Sequence, residues 1–478
     1  MIKTNQARVE NQRGRPPRAA CPVWFAVLIL LLGSFGPVAG APTNSLVWHR
    51  SEDRVDADLH GEPLLPLLEQ IARQAGWRVF VEPDILDHRS AAKFKNLPVP
   101  EALRMLLGDL NFLLTPPTNG VRQLYVFHTV AQNATRAVLA ARAPPRHVPN
   151  EILVRVKPGT DIEALARSLG AKITGRNDKL GLYRLLFDNA AAADAALAQL
   201  QKNSDVLAAD YDYYLDPPPQ PQLVTASALP PGAGPVSLNL NPPKDGDPCS
   251  PVVGVIDTTI QPPLLGNLSP FLLPAVSVTG ETATNGDPVP THGTAMAETI
   301  LRAVAQASGG SSSVRILPVD VYGGSATTTS WNVALGIQAA VDHGATVLNL
   351  SLGGAGDSSV LASVVQQAVA NGIVIFAAAG NTPVAAPTYP AAYPGVNDVT
   401  ALSAPGQLAP YANFSPQVNL ALPGASVVYA GSQAYLVQGT SPATAYASGL
   451  AAGTKNANCL GWEQILATLQ KQFPVPSK

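Results

Sequence analysis

Charge is scarce in this sequence. Asp, Glu, Lys and Arg together make up 13% of its 478 residues, about half the share usual in soluble domains, and the net charge is -2. With 31 basic residues against 33 acidic ones, no basic surface large enough to grip nucleic acid can form, which excludes nucleic-acid partners. Long apolar runs are lacking too. Past the first 41 residues no stretch reaches the roughly 20 apolar residues that cross a bilayer. Dense runs of Asp and Asn, the usual calcium ligands, are also missing, so no metal site can be read and a structural calcium ion has no support. Cysteine occurs three times, as Cys21, Cys249 and Cys459.

Proline, by contrast, is plentiful at 45 residues, and it gathers in stretches such as "DPPPQPQ" and "LPPGAGP" that read as linkers. The N-terminus carries Lys3, Arg8, Arg13, Arg15 and Arg18, then the apolar "VWFAVLILLLG", then "GPVAGA" with the small residues of a cleavage site. It reads as a secretory signal over residues 1–41; an uncleaved anchor is the rival reading. Export places the chain in the periplasm or outside the cell. Cys21 falls within that leader. Cys249 and Cys459 remain as an even pair, open to one disulfide or to two buried thiols.

Three structured regions follow. Residues 42–130 read as a small α/β unit: "PLLPLLEQIARQAG" puts Leu64, Leu67, Leu68 and Ile71 on one helical face, and "PVPEALRMLLGDLNF" does so with Leu103, Leu106, Leu107 and Leu110. "WRVFVEP" and "RQLYVFHT" read as strands. This pattern resembles the short N-terminal domain of secretins and TonB-dependent receptors, and the resemblance implies a periplasmic module with an envelope protein as partner. After a linker over 131–150, residues 151–216 run strand, helix, two strands, helix, strand, which predicts a ferredoxin-like sandwich. A Pro-rich linker over 217–246 leads to the last region, 247–478. There the apolar runs "SPVVGVID", "SVRILPVDVY", "GATVLNLSLGG" and "GIVIFAAAGN" alternate with helical patterns. The expected fold class is therefore α/β, a parallel sheet with helices on both faces, preceded by two small α/β units.

In such sheets function gathers at the carboxyl ends of the strands. Asp257 ends "VVGVID", His292 opens "HGTAMAETI", Asn381 ends "AAAGN" and Ser441 precedes "PATAYASGLAA". Singly, each has a plain explanation: a turn former, a helix start, a loop residue, an N-cap. Jointly they supply an orienting carboxylate, a base, an oxyanion donor and a nucleophile, the complement that amide hydrolysis needs. No cofactor is required for that chemistry.

These segments, in the order Asp, His, Ser, together with "LNLSLGG", "YPAAYPGVNDVTAL" and "YANFSPQVNLALPG", are similar to the subtilisin-like serine proteases, the subtilases. The resemblance implies a peptidase acting on proteins or peptides, with Ser441 as nucleophile, His292 as acid and base, Asp257 behind it and Asn381 at the oxyanion. It implies substrate laid along Ser351, Leu352 and Gly353, and Ala378, Ala379 and Gly380 beside the first specificity pocket. Residues 151–216, directly ahead, look like the inhibitory propeptides of that family, so the chain's own propeptide is expected in the cleft, with the last strand lying there and a cut in the Pro-rich linker releasing activity. Thr259, Ala295, Glu298, Pro442, Ala445 and Tyr446 depart from the family's pattern. They leave open a second reading, a catalytically silent binding or regulatory protein on the same fold. Pro442 is expected at the first helical position, with Ser441 as the cap before it.

Overall fold

The computed structural model describes residues 44–50, 52–116, 122–134, 136–138, 145–215, 218–224, 234–241, 248–280 and 287–476. The leader expected over 1–41 lies outside them. Among the described residues no helix is long and apolar enough to cross a membrane.

The continuous Val, Ile and Leu runs of the C-terminal region are strands because both of their faces are covered. In spatial order the sheet runs Val276–Ser277, Arg315–Asp320, Val252–Asp257, Val347–Leu350, Val374–Ala378, Val396–Ala404, with Leu420–Pro423 also paired to the last. These pairings are all parallel. On one face, helices His292–Ser308, Thr440–Asn458 and Trp462–Gln472 close a core around Val253, Val255 and Phe376. On the other, helices Ser330–Asp342 and Ser359–Ala370 cover Ile256, Leu317 and Ile375. Val252–Asp257 has an earlier-leaving neighbour on one side and a later one on the other, so a crevice opens at its carboxyl end.

Small residues bring two of these helices unusually close. A Cβ on Gly449 would stand 2.3 Å from the carbonyl oxygen of Ile300, so the Ser441 helix (Thr440–Asn458) meets the histidine helix (His292–Ser308) backbone to backbone. That contact leaves little freedom in how Ser441 and His292 are placed.

Residues 147–215 form the ferredoxin-like unit. Its four antiparallel strands, His147–Val156, Lys172–Asn177, Leu182–Leu186 and Val206–Leu215, lie in the order fourth, first, third, second. Two helices, Ile162–Leu169 and Ala190–Leu200, are capped by Asp161 and Asn189, whose side chains accept from Ala164 N and Ala192 N. Leu153, Leu180, Leu182 and Leu215 of this unit join the core around Ile256 and Leu317. The N-terminal unit has a three-stranded and a four-stranded sheet, with Leu64, Leu67, Leu68, Ile71, Leu103, Leu106 and Leu107 fully buried from its two helices.

The linkers are less empty than their composition suggests. Arg136–Val138, inside the expected 131–150 linker, pairs with Arg78–Val81, so the N-terminal unit runs on past residue 130; His147 already begins the next sheet. Within 217–246, Gln222–Val224 pairs antiparallel with Gln433–Gln438 and Asn239–Leu240 pairs with Ser311–Ser312. Val236 and Leu238 are buried in the core of the histidine helix, and Arg302 Nη1 donates to the Gly234 carbonyl at 2.9 Å. Proline-rich chain can do this at a sheet edge, where a missing N–H can face solvent.

Cys249 and Cys459 are joined as a disulfide, with Cα atoms 4.9 Å apart and a sequence separation of 210. Cys459 sits at the C-cap of the helix Thr440–Asn458. Replacing both with Ser is expected to lower unfolding free energy by about 2–5 kcal/mol, the usual cost of losing a native bridge. Denaturant titration of the oxidised and substituted chains checks this.

Candidate active site

Asp257 is the last residue of its strand and His292 the first of its helix, with Thr291 as N-cap accepting from Thr294 N. His292 Nδ1 lies 2.8 and 2.9 Å from the two carboxylate oxygens of Asp257, and both side chains are shut off from solvent. Thr258 N also donates to Asp257 Oδ1 at 2.7 Å. The carboxylate therefore holds Nδ1 protonated and leaves Nε2 as the basic nitrogen. Nε2 is buried and has no hydrogen-bond partner.

Ser441 lies on the opposing helix, but not at the expected position. Gly439 is the N-cap, so Ser441 is the second helical residue and Pro442 the third. The first-turn N–H groups have no partner within a helix, so proline is tolerated at the third position for the same reason as at the first. The Ser441 hydroxyl donates to the carbonyl of Ser351 at 3.2 Å. Asp257 and His292 are thus brought together, while Ser441 is turned toward Ser351, just past the strand Val347–Leu350.

Asn381 follows the strand Val374–Ala378 and Gly380. Its Oδ1 accepts from Thr440 N at 2.8 Å and from the Thr440 hydroxyl at 3.2 Å, which turns the amide NH2 the other way. Thr440 Oγ1 in turn accepts from Gly380 N at 3.1 Å. Thr440 thus orients the Asn381 amide, a role the sequence reading missed although the residue adjoins Ser441. Asn349 was missed as well. It is fully buried, donates to Ser351 Oγ at 2.9 Å and accepts from Ser448 at 3.0 Å, while Ser351 Oγ reaches the Ser441 carbonyl at 3.1 Å. An Asn inside the apolar run "TVLNLSL" was the available signal.

The other predicted residues cluster around these. Ser351 and Leu352 are buried; Gly353 packs on Thr388. Ala378 and Ala379 are buried under Asn381, with Gly380 half-buried. Of the departures from pattern, Glu298 is buried but satisfied: it pairs with Arg302 at 3.1 Å and accepts from Tyr429 N at 2.8 Å. The close packing it put in question is kept. Tyr446 OH bonds Gln306, and Thr259 bonds Asp320, without a positive φ. Among the described residues no cluster of His, Cys, Asp or Glu could hold a metal ion.

The strand Val206–Leu215 brings the ferredoxin-like unit onto this crevice. Its end pairs with Thr328–Thr329, and its last residues pass Gly354, one residue beyond the predicted Ser351–Gly353 run. Two aspartates, two residues apart and so on one face of the strand, meet the starts of two helices. Asp210 Oδ2 accepts from Ser359 N at 3.0 Å, and Asp212 Oδ1 from Trp331 N at 2.9 Å. Thr329, the N-cap of Ser330–Asp342, makes no side-chain cap of its own, so Asp212 supplies it from outside. Arg155 adds contacts to Ser363 and Gln367, and Lys179 to Asp342.

Residues 250–473 match the model of the subtilase family, and residues 133–211 that of the fervidolysin N-terminal prodomain. The thermostable alkaline protease of Halalkalibacterium halodurans is 34% identical over 169 residues, 34% of this chain and 47% of that protein. Subtilisin Savinase of Lederbergia lenta is 32% identical over 171 residues, 35% and 64% of the two chains. Thermitase of Thermoactinomyces vulgaris is 34% identical over 172 residues, 36% and 62%. The match thus spans about half to under two thirds of these relatives' lengths. Among solved structures, fervidolysin from Fervidobacterium pennivorans, a keratinolytic enzyme related to subtilisin, is 20% identical with a TM-score of 0.49, covering 65% of this chain and 55% of that one.

Burial pushes the Asp212 carboxyl up from its usual 3.8 to about 7, with Glu151 adding to the rise and the Trp331 N–H, Thr329 and Arg184 opposing it. Once undocked the group returns to its ordinary value, so between about pH 4 and 7 the docked form holds a proton that the free form has lost. Docking is therefore strongest at low pH, weakens by at most about tenfold per pH unit through that window, and is level above about 7. Asp212→Asn should flatten the profile. Hydrogen exchange of Val206–Leu215, followed across the window in both chains, reads this out, and identical slopes would count against the assignment.

Proposed function

With residues 250–473 matching the model of the subtilase family and residues 133–211 that of the fervidolysin prodomain, we propose that this chain is a serine endopeptidase made as a zymogen and exported. The observation that carries the reading is the buried Asp257–His292 pair, whose Nε2 has no partner, on a helix packed backbone to backbone against the one that carries Ser441. Metal-free peptide hydrolysis needs this set of groups and no more.

A rotation about the Ser441 Cα–Cβ bond frees Oγ from the Ser351 carbonyl and turns it to His292. Oγ attacks the carbonyl carbon of the substrate while its proton passes to Nε2, and Asp257 stabilises the imidazolium. The negative oxygen is received by the Asn381 amide and the Ser441 N–H. Collapse breaks the C–N bond as Nε2 returns the proton to the leaving amine. Water, deprotonated by the same nitrogen, then releases the acyl group and restores Ser441. Substrate lies extended between Thr328–Thr329 and the Ser351–Gly354 segment, the place that Val206–Leu215 takes in the uncut chain.

Export is supported by the basic and apolar leader and by the disulfide. The N-terminal unit is proposed to contact an envelope protein; pull-down with the full chain tests that part separately. The resting Ser441 to Ser351 hydrogen bond favours, as a second reading, a silent scaffold in which Ser441 never engages His292.

Expected results separate the two. The processed protein hydrolyses casein and takes a fluorophosphonate label, and Ser441→Ala loses both. Asn381→Ala lowers kcat by about 10²–10³ with little change in KM, since its amide meets charge that develops only in the transition state. A wild-type chain that neither labels nor turns over casein would establish the silent scaffold.

A further inference from the structure

The crevice beside Ser441 is occupied by the chain itself, and on both sides of the nucleophile. Tyr214 and Leu215 pair with Thr329 and Thr328. A few residues later, Pro219 Cγ lies 3.2 Å from the point where a Cβ on Gly439 would stand, and Asn381 Nδ2 lies 3.1 Å from that same point. Gly439 has φ 154, so the backbone ahead of Ser441 takes a form open chiefly to glycine and leaves room for the proline ring. Further on, Gln222, Leu223 and Val224 pair antiparallel with Leu436, Tyr435 and Ala434. Pro218 and Pro221 are buried, and a cavity of about 370 Å³ is lined by Pro219, Gln220, Gln222, Asn381, Leu436 and Gln438.

A substrate held this way would be cut. Here the sequence reads Pro217, Pro218, Pro219, Gln220, Pro221. In the bonds 217–218, 218–219 and 220–221 the leaving nitrogen is a proline ring nitrogen. It has no N–H to pair with a flanking strand, its φ is locked near about -65°, and its ring crowds the face from which His292 must deliver a proton. In the remaining bonds, 219–220 and 221–222, the acyl residue is a proline, whose ring fixes φ and offers no N–H for main-chain pairing, and the residue before each proline is confined as well.

Resting on the serine-peptidase reading above, we propose that Pro218–Val224 is a cleavage-resistant strap: it binds across Ser441 as a substrate would, with the edge of Gln433–Gln438 as the docking strand on the leaving-group side, and its prolines prevent it from being cut in place. Two consequences follow. Maturation requires a cut outside this segment, and the edge of Gln433–Gln438, once vacated, receives the downstream residues of an extended peptide substrate by main-chain pairing.

The test uses the full chain, with Pro218→Ala, Pro219→Ala and Pro221→Ala introduced together. On incubation the wild-type protein should stay unbroken between residues 217 and 222 by intact mass. The substituted chain should be cut there at least about tenfold faster, take up a fluorophosphonate label, and lose both properties when Ser441→Ala is added. A wild-type chain broken within that segment in a Ser441-dependent way overturns the proposal. So does a substituted chain that takes the label yet stays whole, which removes the strap but leaves the peptidase. If neither chain takes the label nor is cut, the peptidase reading falls and the strap falls with it.

Discussion

Two helix N-termini, one with no side-chain cap of its own and one capped by Ser358 alone, hold the molecule in its present form through acceptors on the neighbouring unit. The first N–H groups of Ser330–Asp342 and Ser359–Ala370 need acceptors, and Asp212 and Asp210 of the neighbouring unit provide them. Each cap contributes about 0.5–2 kcal/mol, modest beside the apolar contact of Leu153, Leu180, Leu182 and Leu215, but directional where apolar contact is not. Direction sets register. With Asp210 and Asp212 fixed, Tyr214 and Leu215 fall opposite Thr329 and Thr328, and the chain is aimed across Ser441.

The site was legible where chemistry coincides with the end of an apolar run. Asp257 and Asn381 follow strands whose composition betrays burial on both faces, and a polar residue at that point is conspicuous. His292 and Ser441 stood out because small residues follow each of them. What stayed hidden depends on partners far away in sequence. Asn349 matters because Ser351 and Ser448 come to it, and Thr440 because Asn381 lies across from it. The helix start was misplaced by two residues at Pro442, since a proline fits any position of the first turn. The ferredoxin-like order of strands was readable from alternation within residues 151–216, whereas the pairing of Gln222–Val224 was not. Three residues among prolines carry no periodicity, and only the open edge of Gln433–Gln438 makes them a strand.

Catalytic geometry and inhibition draw on the same few groups. The Asn381 amide that would face an oxyanion borders the cavity beside Pro219, and Gly439, which the nucleophile helix needs as its cap, is also what admits the proline ring. The Ser441 hydroxyl, bonded to Ser351, rests outside the Asp257–His292 pair while this chain is in place. The substitutions around the triad look different in that light. Glu298 and Arg302 brace Val427, Tyr429 and Gly234, so a pair that includes one of the departures from the resembled pattern serves here to clamp the hairpin that carries the docking edge.

That clamp also draws a line through the proline-rich stretch. From Gly234 onward the chain is stitched into the domain: Val236 and Leu238 are buried, and Asn239–Leu240 lies beside Ser311–Ser312. Stripping it away would bare two apolar side chains, at about 1.5–3 kcal/mol for each if fully exposed. The shortest chain able to survive as an independent folded body therefore begins near Gly234, and the eight residues 234–241, which look like packaging, are part of its hull.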